Sequence, residues 1–204
     1  DYAVVCNPGG GYSMLLDSEI EMFRSAFAGQ GVAVAIVRYR MPAKGNYTLP
    51  AQDAYNTLCL MRANREKWGG YKKVGIMGGS AGGHLSATVS TYAPDEVDFQ
   101  ILLYPVITMN TEYTHLGSRL ELLGRNPSAE LERSFSFEYH VTSSLPPTFV
   151  AYSMDDGYVD PVHNAQAYIT ALKNAGVHCS ESRHETGGHQ STYWTDYPAV
   201  MLSW

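Results

Sequence analysis

The chain has 204 residues, of which 45% are hydrophobic and 17% charged, and a formal net charge of -6. That length holds one sizeable core and predicts a single domain, while the acidic balance offers no basic stripe for a phosphate backbone and sets aside nucleic acid and anionic membrane surfaces as partners. The longest apolar runs, such as Val32 to Val37, fall far short of the roughly 20 residues that cross a bilayer.

A first strand is predicted over Tyr2 to Cys6, running into Asn7-Pro8-Gly9-Gly10-Gly11-Tyr12. Consecutive glycines let a backbone aim its N–H groups into a cleft, which suits an oxyanion. A phosphate loop would need a lysine followed by serine or threonine, and none follows here. From Asp17 to Gly29, capping residues open an amphipathic pattern with Ile20, Phe23 and Phe27 on one face. A second strand follows over Val32 to Arg38, and Asn46-Tyr47-Thr48 forms a glycosylation sequon that matters only on a secretory route. Pro50 to Trp68 reads as a long helix, with proline in its first turn, Asp53 near the positive end of the dipole and Gly69-Gly70 beyond its end.

The run Lys73 to Met77 has strand length, and Gly78-Gly79-Ser80-Ala81-Gly82 leads from it into a helix of small and apolar residues. A serine on a sharp strand-to-helix turn is exposed as a nucleophile, and Gly78 and Gly82 leave room for strand and helix to approach. A fourth strand is predicted over Phe99 to Tyr104. The irregular section at about 106–145 is too long for a simple connection and reads as a cap-like insert, with a few surface helices as the plainer alternative. Tyr104, Tyr113, Phe135, Phe137 and Tyr139 in or beside it are candidates to stack on sugar rings or simply to pack over the sheet. Further strands are predicted over Thr148 to Tyr152 and Val177 to Ser182, joined by a helix over Val162 to Asn174 whose apolar face carries Ala165, Tyr168, Ile169 and Leu172. Six mostly continuous apolar strands alternating with helices predict an α/β fold: a mainly parallel sheet covered by helices on both faces.

An acyl-transfer serine needs a base, and the base needs a carboxylate that fixes its tautomer. Met154-Asp155-Asp156-Gly157-Tyr158-Val159-Asp160 follows the fifth strand, and Gly187-Gly188-His189-Gln190 follows the sixth. Each of these pieces is common in isolation; together they give Ser80, Asp156 and His189 in the order nucleophile, acid, base, each in a loop after its own strand.

The segments Pro8-Gly9-Gly10-Gly11-Tyr12, Arg38-Tyr39-Arg40, Gly78-Gly79-Ser80-Ala81-Gly82-Gly83-His84 and Gly187-Gly188-His189 resemble, in order and across essentially the whole chain, those of α/β-hydrolases. The likeness is to small carbohydrate acetylesterases of the acetyl xylan esterase kind and to the hormone-sensitive-lipase branch. It implies an α/β-hydrolase fold over residues 1–204, Ser80 as nucleophile, His189 as base, and the N–H groups of Gly10, Gly11 and Ala81 as oxyanion donors. It also implies hydrolysis of short, acetyl-type esters, with an acetylated sugar as the small-molecule partner. The chain departs from the pattern in three respects. Pro8 stands where many relatives have histidine; the triad acid falls on Asp156 by alignment of Val159, with Asp155 and Asp160 open; and the sheet starts at what resembles the third strand of a fuller fold, its edge either trimmed or lacking its first strands here. A peptidase of the same fold and a non-catalytic binding scaffold are the rival readings.

Cys6, Cys59 and Cys179 are odd in number and widely spaced, which predicts buried free thiols rather than disulfides or a zinc site. His84 is expected to pack or hydrogen-bond near its helix start. His115, His140, His163, His178 and His184 show no metal-ligand spacing, so neither a metal nor another cofactor is implied. No secretory signal opens the chain, which slightly favours a cytoplasmic location, although a signal cleaved ahead of Asp1 would leave the same sequence. Oligomeric state stays open.

Overall fold

A computed structural model describes residues 1–42 and 46–190. Six strands, β1 (Tyr2–Asn7), β2 (Ala33–Ile36), β3 (Lys73–Gly79), β4 (Gln100–Leu103), β5 (Thr148–Ser153) and β6 (Cys179–His184), form one parallel sheet in the order β2-β1-β3-β4-β5-β6. Parallel neighbours need crossover connections. These contain the helices α1 (Asp17–Phe27), α2 (Leu49–Ala63), α3 (Ala81–Tyr92), α4 (Leu116–Leu123), α5 (Ala129–Ser134) and α6 (Ala167–Asn174).

The inner strands are apolar throughout because both faces are covered. Val4, Cys6, Met77, Ile101 and Phe149 point to the side where α1 lays Phe23 and Phe27. Ala3, Val5, Ile76, Leu102 and Val150 point to the side built from α2, α3 and α6 through Leu58, Leu85 and Tyr168. The edge strands β2 and β6 are half-covered at most positions, and β6 alternates accordingly.

Several boundaries differ from the sequence pattern for local reasons. Helix α2 stops at Ala63 rather than Trp68, because the side-chain amide of Asn64 donates to the Leu60 carbonyl (2.9 Å) and turns carry the chain onward. Asp53 accepts from the Arg40 backbone (2.8 Å) and guanidinium (2.8 Å) instead of capping a dipole. The expected helix from Val162 opens with a π turn at Val162–Gln166, and α1 begins after Leu16 without a side-chain cap. Cys6 is fully buried, but Cys59 and Cys179 are half-buried; all three are free thiols.

Register brings the carboxyl ends of the strands to one edge, with Asn7 beside Gly78, Gly79 beside Leu103 and Ser153 beside His184. From β1 the chain goes outward to β2 and then returns to β3 on the other side. Parallel α/β sheets form their ligand crevice at such a reversal, outside the strand ends. The glycine loop after β1 and the Ser80 turn after β3 flank it.

Segment 104–147 is tied into the main core. Phe135 and Phe137, candidates above for sugar stacking, are buried around His84, with Phe137 4.9 Å from its ring. Tyr104 is also buried, Tyr113 stacks on His163 (3.6 Å), and exposed Tyr139 carries the Arg133 guanidinium at 4.2 Å. No helix among the described residues is long and apolar enough to cross a membrane.

Candidate active site

Ser80 occupies the turn between β3 and α3 with φ 52° and ψ -120°, a conformation that costs a non-glycine residue about 1–3 kcal/mol. The surroundings hold it there: the Ser80 N–H donates to the Leu103 carbonyl (3.0 Å), and the Ser80 carbonyl accepts from Val106 (3.1 Å) and His84 (3.2 Å). Strand and helix meet without side chains between them. A Cβ on Gly78 would lie 2.1 Å from the Gly82 carbonyl oxygen, and one on Gly82 would lie 2.0 Å from that of Asn7.

The structure brings together residues that the sequence keeps far apart. His189 Nε2 lies 3.0 Å from Ser80 Oγ, and His189 Nδ1 lies 2.7 Å from Asp156 Oδ2. The Asp156 and His189 side chains are 3% and 13% exposed, so the ion-pair geometry is shielded from water. A carboxylate at Nδ1 fixes the proton there and leaves Nε2 to accept the Ser80 hydroxyl proton. The other Asp156 oxygen accepts the N–H groups of Tyr158 (2.9 Å) and Val159 (3.0 Å), which sets the carboxylate plane.

Of the three carboxylates the sequence leaves open, Asp156 is the one that meets His189. Asp155 accepts from the Gly188 N–H (2.7 Å), the Ser153 hydroxyl (2.8 Å) and the Gly187 N–H (3.1 Å), and so pins the loop that carries His189. Those donors, Gly188 first, hold its carboxyl below the usual carboxylate range. Asp160 turns away and accepts from the His163 N–H at 2.8 Å.

In the glycine loop, Gly10 (φ 125°) and Gly11 (φ 64°) adopt left-handed conformations, and the Gly10 carbonyl folds back to accept from Ser13 (3.1 Å) and Met14 (3.2 Å). That leaves the N–H groups of Gly10, Gly11 and Ala81 without a hydrogen-bond acceptor among the described residues. Tyr39 anchors the loop by donating its hydroxyl to the Pro8 carbonyl (2.7 Å). His84 lies beneath it, taking the Tyr12 hydroxyl at Nδ1 and donating from Nε2 to the Phe135 carbonyl, both at 2.8 Å; burial pushes its pKa down to about 4.

Sequence reasoning missed Glu19. The residue is 1% exposed, and its carboxylate accepts from the Gly9 N–H (2.7 Å), the Tyr104 hydroxyl (3.1 Å) and the Gln190 side-chain amide (3.2 Å). Burial raises its pKa, and those donors together with His189 oppose the rise. A signal was present, since Glu19 stands one turn before Phe23, on the apolar face of α1.

Beside Asp156 opens a cleft of about 450 Å³ lined by Tyr113, Met154, Tyr158, Asp160 and Val162 among others. Tyr158 is 71% exposed, with its ring 5.7 Å from that of His189. Among the described residues, no group of three or more His, Cys, Asp and Glu side chains is arranged to hold a metal ion. A hydroxyl on an imidazole and an imidazole on a buried carboxylate are the contacts that serine acyl-transfer chemistry requires.

Comparison with known proteins finds esterases among those this chain is similar to. The chain is 38% identical to an acetylxylan esterase of Xylanibacter ruminicola, over 98% of this chain and 43% of that protein. It is 31% identical to endo-1,4-beta-xylanase B of Butyrivibrio fibrisolvens, over 93% of this chain and 32% of that protein. It therefore spans less than half the length of these relatives. Among solved structures, an acetyl ester-xyloside bifunctional hydrolase from Caldicellulosiruptor lactoaceticus superposes with a TM-score of 0.89 at 29% identity, covering 98% of this chain and 82% of that one. The family described as alpha/beta hydrolase fold matches residues 4–192. The chain belongs to the alpha/beta hydrolase fold family and is related to carboxylic ester hydrolases.

Proposed function

We propose that this chain hydrolyses short-chain carboxylic esters, with acetyl groups on a carbohydrate as the substrate class. The hydrogen-bonded chain from Ser80 through His189 to Asp156 carries the reading. Ser80 Oγ attacks the acyl carbon while His189 Nε2 takes its proton. The carbonyl oxygen becomes an oxyanion, held by the N–H groups of Gly10, Gly11 and Ala81. Collapse of the tetrahedral intermediate breaks the bond to the alcohol, which leaves with the proton from His189. Water then repeats the cycle on the acyl-enzyme: His189 takes its proton, the hydroxide oxygen bonds to the acyl carbon, and Ser80 departs with the proton while the acid is released. Asp156 keeps Nδ1 protonated and stabilises the imidazolium in both halves.

The acetyl-carbohydrate assignment draws its support from the names of the xylan-directed relatives and from the exposed Tyr158 ring beside a polar cleft, which suits a sugar face. The test is release of p-nitrophenol from acetyl and octanoyl esters, with Ser80→Ala and His189→Ala alongside, followed by acetate release from acetylated xylo-oligosaccharides. Turnover of the acetyl ester that both variants abolish is expected. Equal rates on acetyl and octanoyl esters would count against a short-acyl pocket. A wild-type chain that neither turns over ester nor reacts at Ser80 with a serine-directed phosphonate would leave a binding scaffold.

A further inference from the structure

Burying a carboxylate costs several kcal/mol unless hydrogen bonds replace its water. Glu19 is buried within the apolar face of α1, and its three partners come from three separate segments: Gly9 after β1, Tyr104 after β4 and Gln190 after β6. The Gly9 N–H can only donate, and the Tyr104 hydroxyl and the Gln190 amide nitrogen are placed to donate as well, a set of donors that suits a carboxylate. Two of these segments carry parts of the site, the glycine loop and the His189 loop, and the third supplies a ring that packs on His189. Gly9 precedes Gly10 and Gly11, whose N–H groups have no acceptor among the described residues, Gln190 follows His189, and the Tyr104 ring packs edge-on at 4.6 Å from the His189 ring. Pro8 has no side-chain donor with which to anchor the glycine loop, so that task falls to Glu19 together with Tyr39.

We propose that Glu19 is a positioning residue for ester hydrolysis: its carboxylate ties the glycine loop and the His189 loop to one point on α1 and sets a negative charge near the imidazole. The proposal rests on the esterase reading of Ser80, His189 and Asp156. Glu19 touches no substrate; it acts by holding the oxyanion donors and the base in mutual register and by favouring the imidazolium that forms during each proton transfer. Other groups face this pair. Asp156, His115 and the Tyr104 and Tyr158 rings face His189, and Tyr39 faces Glu19. Asp156, hydrogen-bonded to the ring, is the other carboxylate among them, and Glu19→Gln removes the more remote of the two.

The test is Glu19→Gln, which keeps the size but turns one acceptor oxygen into a donor that meets donors. Turnover of p-nitrophenyl acetate is measured from about pH 5 to pH 9, per active site counted with a serine-directed phosphonate. The expected result is a kcat lower by about 10–100-fold, a KM within about threefold of wild type, and an acid limb of the pH–rate profile displaced to lower pH. A purely structural glutamate would lower the number of labelled sites and leave both kcat per site and the limb in place; either of those unchanged overturns the proposal. If Glu19→Gln does not fold, Gln190→Asn carries the test. Asparagine tolerates the φ of 66° at that position but is too short to reach Glu19. A several-fold loss of kcat per site at constant KM is expected, and wild-type kcat overturns the proposal. A wild-type chain with neither turnover nor labelling overturns the esterase reading and the Glu19 proposal together, whereas an active wild type with unaffected variants overturns the Glu19 proposal alone.

Discussion

Replacing Gly82 by alanine adds a single methyl group at the point where α3 meets the end of β1. That methyl carbon would sit 2.0 Å from the Asn7 carbonyl oxygen, 2.7 Å from the Asn7 carbonyl carbon and 2.7 Å from the Pro8 carbonyl oxygen. All three obstacles are main chain, so no rotamer change relieves them. Ordinary contact begins near 3.4 Å, which requires α3 and the strand end to part by about 1.4 Å. Overpacking costs about 1–3 kcal/mol, and rigid obstacles place this case at the upper end. Alanine's better helix propensity returns at most about 1 kcal/mol. The net loss is about 2 kcal/mol, or about 4–8 °C in Tm for a chain of this size. The displaced strand end carries the glycine loop, and an error of about 1 Å in a reacting site costs about 100-fold in rate. Thermal melts and p-nitrophenyl acetate turnover of Gly82→Ala, with Gly157→Ala as control, check both numbers. Apart from its chain neighbours, nothing among the described residues lies within 4 Å of a Cβ added to Gly157, so its variant should stay within about 0.5 kcal/mol of wild type. A Gly82→Ala variant that melts with the wild type and keeps its rate would refute the reasoning.

Asp156→Asn should lower kcat by about 1,000–10,000-fold with little change in KM, because the amide favours the wrong imidazole tautomer. Asp155→Asn should cost about tenfold at most, since Asp155 holds the loop and not the ring; similar losses in the two variants would contradict that division. His84 is neutral and fully buried, with its pKa pushed down from 6.5 to about 4, so the unfolded chain binds more protons between those values. Its contribution is complete above about pH 6.5 and falls as pH drops toward about 4, by roughly 3 kcal/mol. Urea unfolding of wild type and His84→Gln at pH 7 and near pH 4.5 measures this, and an equally steep loss in the variant would exclude His84 as its source.

The most legible parts of the site were those whose chemistry is local. The glycines around Ser80 are required by contacts within one strand-turn-helix unit, so their spacing is readable from the chain itself. Strands β1, β3, β4 and β5 were readable because burial on both faces makes them apolar without interruption. Helix ends were less so: α2 is terminated by a side-chain bond of Asn64, and the propensity of the residues beyond it had pointed further along the chain. The aromatics of segment 104–147 show the same limit, since composition cannot separate a ring offered to a ligand from one buried around His84.

By itself the sequence determined an α/β chain with its chemistry-bearing loops at successive strand ends, and it named Ser80 and His189 through glycine patterns that backbone sterics impose locally. The resemblance favoured Asp156 as the carboxylate at the imidazole but left Asp155 and Asp160 open, and only the tertiary structure separates the adjacent pair, because neighbouring aspartates in one loop differ in the direction their side chains point: Asp155 toward backbone N–H groups, Asp156 toward His189. The partnership of Glu19 with Gly9, Tyr104 and Gln190 likewise exists only once the sheet has brought four distant segments to one edge. A hydrogen bond between residues separated by as many as 171 positions leaves no periodic trace in the chain; a buried charge on an apolar helix face is the one local mark it leaves.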